Sequence, residues 1–374
     1  MVEWKKLGDV CGIFDGTHQT PKYVDTGIKF VSVENINSLY ESEKYISLED
    51  YNEQYKTKPQ KGDVLMTRIG DVGTCTVVDR DEPIAYYVSL ALLKPNFNYV
   101  LGNYIKYILG CHIGKVELRK RTLLTAVPLK INLGDIGKIC IPIPSLSEQT
   151  RIVGILDTFT DSIENLKQQI AERRKQYEFY RDQLISLERK EGVEMRTLGD
   201  VGEICMCKRI MKDQTSDKGD IPFFKIGTFG GKADAYIARS LFEEYKYKFS
   251  YPKKGEILIS AAGTIGRSVV FDGKDAYFQD SNIVWIANDE ALVTNRYLYY
   301  FYQIADWKTD GGTIKRLYNY NLKNTEIPVP SLSEQSSIVS ILDTFEASIA
   351  NLEAQLSQRE KQYEYYRNKL LTFE

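Results

Sequence analysis

The amino-acid sequence predicts an α+β protein in which two small α/β domains are separated by two long helices that form an antiparallel coiled coil. The main observation is an internal repeat, because more than half of the positions in residues 141–188 recur in residues 327–374. A repeat of this size decides the architecture before any single motif is considered. The second observation is that short strand and turn signals precede each copy. The chain is therefore predicted to be a pseudo-dimer with pseudo-two-fold symmetry.

Five parts follow from this pattern. In chain order they are a first globular domain (1–144), a central long helix (145–188), a linker (189–194), a second globular domain (195–330) and a C-terminal long helix (331–374). Within the globular domains, helical stretches are expected near 101–120 and 294–308.

The two globular domains share a weak but aligned framework. Lys61–Met66 corresponds to Lys254–Ile259, and a G-x-x-G turn follows in each copy, at Gly70–Gly73 and Gly263–Gly266. Short β-branched runs with glycine turns are typical of the strands of a small sheet. The loops between these strands have diverged. A shared framework with different loops is expected of two binding modules with different targets.

Both long helices begin with the same start signal. Ser145 with Glu148, and Ser331 with Glu334, fit the S-x-x-E capping box. Some 40 residues at 1.5 Å per residue predict rods of roughly 60 Å.

The apolar residues of the two helices are spaced by four and three, which is typical of a coiled-coil seam. Arg173 and Arg359 take the one seam position in each helix that is not apolar, and they are candidates for marking the register. A buried core helix is the alternative, but its apolar stripe would be broader. The rods pair most simply with each other, although pairing of each rod with another chain stays open. The seam residues are Ile152, Leu156, Phe159, Ile163, Leu166, Ile170, Tyr177, Tyr180, Leu184 and Leu187 in the first helix and Ile338, Leu342, Phe345, Ile349, Leu352, Leu356, Tyr363, Tyr366, Leu370 and Phe373 in the second.

The repeat is also circular. Glu3–Asp9 matches Glu194–Asp200, which follows the first long helix, so the sequence expected after Phe373 stands at the N-terminus. The two chain ends are therefore expected to lie close in space.

The composition is that of an ordinary globular protein, with 43% hydrophobic and 27% charged residues among 374. No apolar stretch approaches the length of a membrane span, and the N-terminus has no apolar core of a secretion signal, so a cytoplasmic protein without a membrane partner is expected. Six cysteines without framework spacing favour reduced thiols, and two histidines argue against a Cys/His zinc site. The net charge of −2 counts against a self-sufficient DNA binder, unless cations cluster on one face or a partner supplies phosphate contacts.

No catalytic constellation is found, so the chain is not expected to be an enzyme. A phosphate-binding loop and an adenine methyltransferase N-P-P-[FYW] motif are both missing from the sequence. Gly263–Gly266 is interpreted as a hairpin turn, because it lacks the strand and helix spacing of a nucleotide fingerprint.

Polar and basic residues recur beside the glycine turns in both halves, where they are candidates for contacts with DNA. Arginine and lysine reach guanine edges and phosphates, and glutamine and asparagine reach adenine edges. The densest stretch is Gly311–Asn319. The candidates are Thr17, His18, Gln19, Thr20, Arg68, Asp71, Thr125 and Lys130 in the first domain and Lys225, Thr228, Thr264, Arg267, Lys315, Arg316, Tyr318 and Asn319 in the second.

These motifs together resemble the specificity subunit of type I restriction–modification systems. The resemblance covers essentially the whole chain and is carried by the repeated I-P-[IV]-P-S-L-S-E-Q start, the helix behind it, the K-G-[DE]-[VI]-L strand with its G-x-x-G turn, and Gly311–Leu317. The first domain departs from the pattern at Thr122–Pro128, which lacks the Gly-Gly and Lys-Arg pairs of the second domain.

The resemblance implies two target recognition domains that each read one half of an asymmetric, bipartite site in double-stranded DNA. It implies methyltransferase subunits, two in number, that carry S-adenosylmethionine, so that no cofactor belongs to this chain. Restriction or translocase subunits can join, and the helices hold the recognition domains apart. The alternative is a non-catalytic protein scaffold that presents two ligand-binding modules, and only the DNA-binding protein should lose affinity steeply with salt.

Overall fold

The computed structural model describes residues 2–186, 193–310 and 315–373. The chain divides into two compact units, unit 1 with Met1–Gln168 and Glu353–Glu374 and unit 2 with Gln169–Leu352. Each unit therefore holds one strand-rich domain, the beginning of the long helix behind it and the end of the other long helix. Most of the predicted linker 189–194, and residues 311–314 of the predicted contact stretch, lie outside the described residues.

The strands of unit 1 form domain 1. They are β1 (Glu3–Lys6), β2 (Cys11–Asp15), β3 (Ile28–Val31), β4 (Tyr45–Ile46), β5 (Val64–Thr67), β6 (Cys75–Val77), β7 (Ile84–Tyr86), β8 (Leu90–Pro95) and β9 (Cys140–Ile143). Its helices are α1 (Leu7–Val10), α2 (Leu48–Gln54), α3 (Gly102–Gly110), α4 (His112–Arg121), α5 (Leu133–Ile136) and the beginning of the long helix α6 (Leu146–Ile185). Short 3₁₀ helices lie at Val33–Asn35 and Leu39–Glu41.

The strands of unit 2 form domain 2. They are β10 (Glu194–Thr197), β11 (Glu203–Met206), β12 (Ile221–Phe224), β13 (Ala235–Ile237), β14 (Ile257–Ser260), β15 (Ser268–Val270), β16 (Tyr277–Phe278), β17 (Ile283–Ala287) and β18 (Glu326–Val329). Its helices are α7 (Leu198–Val201), α8 (Arg239–Lys248), α9 (Asn295–Tyr302), α10 (Asn319–Lys323) and the beginning of the long helix α11 (Leu332–Leu371), with a 3₁₀ turn at Lys212–Gln214.

The two domains have the same sheet topology. Domain 1 contains a four-stranded antiparallel sheet in the order β2-β8-β5-β6, a three-stranded sheet in the order β4-β3-β7, and the pair β1-β9. Domain 2 repeats these sheets as β11-β17-β14-β15, β13-β12-β16 and β10-β18. In both three-stranded sheets the last pair of strands is parallel. The predicted α+β class and the duplicated framework are therefore confirmed.

The four-stranded sheet of each domain is buried on both faces. Along β5, Val64 and Met66 pack into the cluster that contains α3 and the long helices, whereas Leu65 packs into the cluster under β3 and β7. Successive residues of a strand point to opposite faces, so a strand buried on both faces becomes a continuous apolar run. In domain 2, Ile257 and Ile259 pack on one face of the sheet and Leu258 packs on the other. This burial explains the apolar K-G-[DE]-[VI]-L motif.

The long helices begin as the capping signal predicts, with a hydrogen bond from the glutamate N–H to the serine hydroxyl in each box. The N–H of Glu148 donates to Ser145 Oγ at 3.3 Å, and the N–H of Glu334 donates to Ser331 Oγ at 3.2 Å. The Glu148 carboxylate pairs with Arg151 at 2.6 Å instead of returning to the cap.

A buried glutamine behind each capping box joins the long helix to its domain. The Gln149 side chain accepts from Leu101 N–H at 2.9 Å and donates to the Tyr99 and Pro144 carbonyls at 2.7 and 2.9 Å. Gln335 is placed in the same way in unit 2, where it accepts from the N–H of residue 294 at 2.8 Å and donates to the carbonyls of residues 292 and 330 at 2.9 Å. Neither glutamine is accessible to solvent. These side chains therefore satisfy buried backbone groups that would otherwise be costly.

The seam of the coiled coil is confirmed within each unit. In unit 1 the ring of Phe159, near the start of α6, stacks on Tyr366, near the end of α11, with centroids 5.5 Å apart. In unit 2 the late residue Tyr180 stacks on the early residue Phe345, also at 5.5 Å. In both units an early part of one helix contacts a late part of the other, as antiparallel pairing requires.

The two seam arginines lie over aromatic rings. The guanidinium of Arg359 is 5.7 Å from the ring centroid of Phe159, and that of Arg173 is 5.8 Å from the ring of Phe345. Each arginine therefore contributes a cation–π contact to the unit that contains it.

Both chain ends belong to unit 1. Leu7 from the first helix and Leu371 from the last helix lie in one buried cluster, and Phe373 packs against it. This arrangement agrees with the predicted circular repeat.

The helix predicted at 294–308 is too long. Helix α9 ends at Tyr302, and the described residues that follow it up to residue 318 form no helix. The ring of Trp307 instead packs on Tyr302, with centroids 5.6 Å apart, and reaches the second glycine of the G-x-x-G turn. In domain 1, Leu118 of α4 fills the corresponding place beside Gly73. Tertiary packing thus ended a helix that local sequence favoured. No helix among the described residues is both long enough and apolar enough to span a membrane.

Candidate nucleic-acid interface

Backbone hydrogen bonds gather several loops at one edge of domain 1. The N–H of Arg68 donates to the Ser89 carbonyl at 2.9 Å, and the N–H of Ile131 donates to the Arg68 carbonyl at 3.0 Å. The N–H of Thr17 donates to the Tyr86 carbonyl at 3.2 Å, which ties the loop after β2 to the end of β7. The loops after β2, β5 and β7 and the segment before α5 thus form one surface, here named edge 1.

Domain 2 forms the equivalent surface, edge 2, with the same backbone bonds. The N–H of Ala261 donates to the Asn282 carbonyl at 2.7 Å, and the N–H of Leu317 donates to the Ala261 carbonyl at 2.9 Å. Ala261 and Leu317 therefore correspond to Arg68 and Ile131. Since Lys130 and Arg316 each come one residue before these partners, the two predicted cations occupy equivalent positions.

The G-x-x-G turn of each domain belongs to its edge, and its interpretation as a hairpin turn is confirmed. It joins β5 to β6 in domain 1 and β14 to β15 in domain 2, and both pairs are antiparallel. All four glycines have positive φ, between 66° and 102°, a region that L side chains rarely adopt. The turn leaves the candidates Asp71 and Thr264 exposed at its tip.

Arg68 is held inside edge 1. Its Nη1 lies 2.5 Å from Asp15 Oδ1, and only 12% of its side chain is exposed. The other carboxylate oxygen of Asp15 lies 2.7 Å from His18 Nε2. Asp15 therefore links two predicted contact residues, and Arg68 positions the carboxylate that holds His18.

The remaining candidates at the start of edge 1 lie in the loop after β2. Gln19 and Thr20 are exposed, and Thr17 is half-buried with its hydroxyl donating to the Gln19 carbonyl at 3.3 Å. Thr20 lines a small cleft together with Ser32, Tyr87 and Ser89.

A larger cleft of about 660 Å³ lies at edge 2. Two predicted residues, Lys225 and Arg316, line it together with Arg209. Lys225 Nζ lies 2.8 Å from the Asp234 carboxylate, and Arg209 Nε lies 2.8 Å from that of Asp280. These exposed ion pairs orient the cations but hold them weakly, since such pairs contribute roughly 0–1 kcal/mol. A phosphate or a base edge can therefore compete for them.

Two predicted residues of domain 2 make hydrogen bonds within the protein. The Thr228 hydroxyl accepts from Lys225 N–H at 3.1 Å, which closes the turn after β12. Arg267 donates through Nη1 to the Phe229 carbonyl at 2.9 Å. Arg267 corresponds to Thr74 and not to Arg68, because Thr74 and Arg267 make the same backbone bonds to the last residue of β5 and of β14. Arg68 and Arg267 thus lie at different places of their edges.

The other candidates are exposed at the two edges. They are Thr125 and Lys130 in domain 1 and Lys315, Tyr318 and Asn319 in domain 2.

Sequence reasoning missed the loop after β16 in domain 2. Ser281 has φ of +59°, which is unusual for a residue with a side chain. It stands between Asp280 and Asn282, and all three line the cleft of edge 2. The corresponding loop of domain 1 is one residue shorter, with Val88 between Tyr87 and Ser89. The one-residue difference in loop length could have drawn attention to this loop, but the loop contains no recognisable sequence motif.

Each half of the chain matches the same family model. The model of the type I restriction modification DNA specificity domain matches residues 1–173 and again residues 190–360. The chain belongs to this family.

Similar proteins support the assignment over the full length. A protein named as a type I restriction enzyme specificity subunit from Haemophilus influenzae is 43% identical over 401 residues, covering 100% of this chain and 96% of that protein. The specificity subunit of a type I restriction enzyme from Escherichia coli is 33% identical over 266 residues, 63% of each protein. The crystal structure of a type I restriction–modification S subunit from M. genitalium has the same fold, with a TM-score of 0.61, 14% identity and coverage of 100% of this chain and 97% of that one.

Proposed function

We propose that this chain is the DNA-specificity subunit of a type I restriction–modification complex. Domain 1 reads one half of a bipartite DNA site through edge 1, and domain 2 reads the other half through edge 2. The observation that carries the proposal is a pair of domains with the same sheets and the same buried contacts but different side chains on equivalent edges. The family model and the similar proteins are named for DNA specificity, which supports the interpretation that the two edges bind DNA.

Different edges imply different half-sites, so the complete site is asymmetric. At equivalent positions, edge 1 presents Ser32 where edge 2 presents Lys225, and Lys130 where edge 2 presents Arg316. Arginine and lysine can contact guanine in the major groove, and arginine does so with two parallel hydrogen bonds in a fixed geometry, whereas serine is not selective for one base. The half-site of domain 2 is therefore proposed to contain guanine near Arg316.

Catalysis is proposed to belong to partner subunits. Methyltransferase subunits, two in the complete complex, would bind S-adenosylmethionine and methylate adenine, and restriction or translocase subunits would join them. With a net charge of −2 the chain depends on its partners for much of the attraction to the phosphate backbone. The long helices, which each unit joins to its domain through a buried glutamine, are the proposed scaffold for these partners.

The decisive experiment is methylation-sensitive long-read sequencing of DNA from cells that express this chain with its cognate methyltransferase subunit. The matched control is the same cells without this chain. We expect adenine methylation at an asymmetric, two-part motif that appears only when the chain is present. An active and soluble complex that produces no motif would contradict the proposal and would favour a protein scaffold with two ligand modules.

Salt dependence separates these two functions without knowledge of the site. The affinity of a DNA-binding complex should fall steeply and linearly in a plot of log affinity against log salt concentration. A flat plot for the purified complex would also favour the protein scaffold.

A further inference from the structure

The segment between α4 and α5 of domain 1 carries a concentrated set of exposed apolar side chains. Val127 is 99% exposed and Leu124 is 57% exposed, and Leu123 and Leu129 are each 40% exposed. Single exposed apolar residues are common on protein surfaces, but a contiguous group of this kind usually marks a contact with another molecule. The segment Leu123–Leu129 is here named the apolar loop.

The base of the apolar loop is held firmly by backbone hydrogen bonds. The N–H of Leu123 donates to the Lys130 carbonyl at 2.8 Å, and the N–H of Gly70 donates to the Leu129 carbonyl at 2.7 Å. The N–H of Ala126 donates to the Leu123 carbonyl at 3.2 Å, which closes the tip. The loop therefore presents its apolar side chains from a fixed position beside the G-x-x-G turn, in the middle of edge 1.

Cations flank the apolar loop on both sides. Helix α4 ends in Arg119, Lys120 and Arg121 immediately before it, and Lys130 follows it. Glu117, in the last turns of the same helix, accepts from Lys120 at 2.8 Å and from Cys140 N–H at 3.1 Å and pairs with Arg121 at 2.7 Å. Burial works to raise the pKa of Glu117, but these hydrogen bonds and the charges of Lys120 and Arg121 lower it further than burial raises it. Glu117 therefore keeps its negative charge and holds Lys120 and Arg121 in place.

An apolar tip between cations fits duplex DNA better than it fits a protein surface. Arg121 is mostly buried against Glu117, but Arg119, Lys120 and Lys130 are exposed and can complement backbone phosphates. Leucine, proline and similar side chains can enter a base step, where they unstack it and kink the duplex. The corresponding stretch of domain 2 contains Gly311, Gly312 and Thr313 in sequence, which offers no comparable group of large apolar residues.

We propose that the apolar loop is a wedge that inserts into a base step of the half-site read by domain 1. The proposal rests on the proposed function, because it requires that edge 1 faces DNA. It assigns to domain 1 a recognition element that depends on how easily a base step deforms and not on hydrogen bonds to base edges.

The test uses the complete complex of this chain with its methyltransferase subunits and a duplex that carries the methylated motif. 2-Aminopurine replaces each purine of the domain 1 half-site in turn, since its fluorescence rises when neighbouring bases unstack. The double variant Leu124→Asn with Val127→Thr keeps the number and branching of the side-chain heavy atoms but removes much of the apolar surface. Leu48→Asn is the matched control, because Leu48 is also exposed, at 62%, and begins α2, which is not part of the apolar loop.

We expect a several-fold rise of fluorescence at one step other than the methylated adenine, whose extrusion by a methyltransferase would raise the signal by itself. The double variant should lose this rise and bind the duplex about tenfold more weakly, whereas Leu48→Asn should behave as the parent. A parent complex without such a rise, or a double variant that keeps it, would overturn the wedge. So would a double variant that no longer assembles with the methyltransferase subunits, because the loop would then contact protein.

Failure of the wedge and failure of the proposed function give different results. If only the wedge is wrong, the parent complex still prefers the cognate duplex to a scrambled one. If the proposed function is wrong, that preference is absent.

Discussion

Domain 1 and domain 2 are most alike where they are buried and least alike where they are exposed. Tyr107 donates to Asp157 of the long helix behind domain 1, and Tyr300 donates to Asp343 of the helix behind domain 2 at 2.6 Å. The helix-side partners are the same aspartate of the repeated I-L-D-T-F sequence. At the edges, in contrast, domain 1 presents an apolar loop where domain 2 presents arginine and lysine around an open cleft.

This difference shows how a duplicated chain can acquire two specificities. The buried contacts are constrained by packing density and by the cost of unpaired polar groups, so the two copies keep them. The loops at the edges carry few such constraints, so they can diverge without loss of the fold.

The largest effect is expected from exchange of a whole domain. Replacement of residues 195–330 by the homologous segment of another specificity subunit should change the half-site read by domain 2 completely and leave the other half unchanged. The methylated motif measured by long-read sequencing is the readout. A change in both halves would show that the two domains do not read DNA independently.

The two buried glutamines should be equally important for stability, because their contacts are the same in both units. Gln149→Leu leaves one backbone N–H and two carbonyls, which are buried or half-buried, without the partner that Gln149 provides, and should lower the free energy of unfolding by about 3 kcal/mol. Gln335→Leu should cost about as much, as measured by urea denaturation of the purified chain. Gln19→Leu, at an exposed position, is the control. A much smaller loss for one of the two buried variants would show that the pseudo-symmetry does not extend to the energy of the junction.

The equivalent residues Lys130 and Arg316 should affect different half-sites. Arg316→Ala should weaken binding by about 1–3 kcal/mol and relax the preference at one base pair of the domain 2 half-site, if the guanidinium reads a base. Lys130→Ala should act on the domain 1 half-site, and a loss that is uniform over sequences would identify a phosphate contact. Competition binding with duplexes altered at single positions measures both effects. Normal binding by both variants would remove this position from the interface.

Two equivalent buried carboxylates are expected to differ in their contribution to the free energy of unfolding, and this is the smallest of the predicted effects. Asp63 and Glu256 each accept from the N–H three residues earlier, at 2.8 and 2.7 Å, and both are buried. Asp63 also forms an ion pair with Lys94. Burial raises the pKa of Glu256 above its ordinary value of 4.5. A carboxyl with a raised pKa favours the folded state below pH 4.5, and this contribution is lost as the pH rises through the raised pKa.

Glu256→Gln should therefore increase the free energy of unfolding at neutral pH, by less than about 1 kcal/mol, and should leave it unchanged near pH 4. Asp63→Asn should decrease it at neutral pH, because Lys94 loses its charged partner. Urea denaturation at the two pH values measures both variants. A gain for Glu256→Gln that is the same at both pH values would show that ionisation of this group is not its cause.

The sequence identified residues that the structure brings together at two edges, but it did not show how each of them is held there. The equivalence of Lys130 and Arg316 follows from backbone bonds that no motif announces, and Arg68 turned out to position the carboxylate that holds His18. The overlong helix at 294–308 has the same origin, since helix propensity is local and the packing of Trp307 is not.

The sequence by itself determined the duplication, the apolar seam and the start of each long helix, and the glycine turns, because these depend on periodicity, capping and positive φ, which are properties of short segments. Only the tertiary structure decided which loops meet at an edge, which cations line the cleft and which apolar side chains stand free in the loop of domain 1. Those properties depend on hydrogen bonds and burial between residues that lie far apart in the chain.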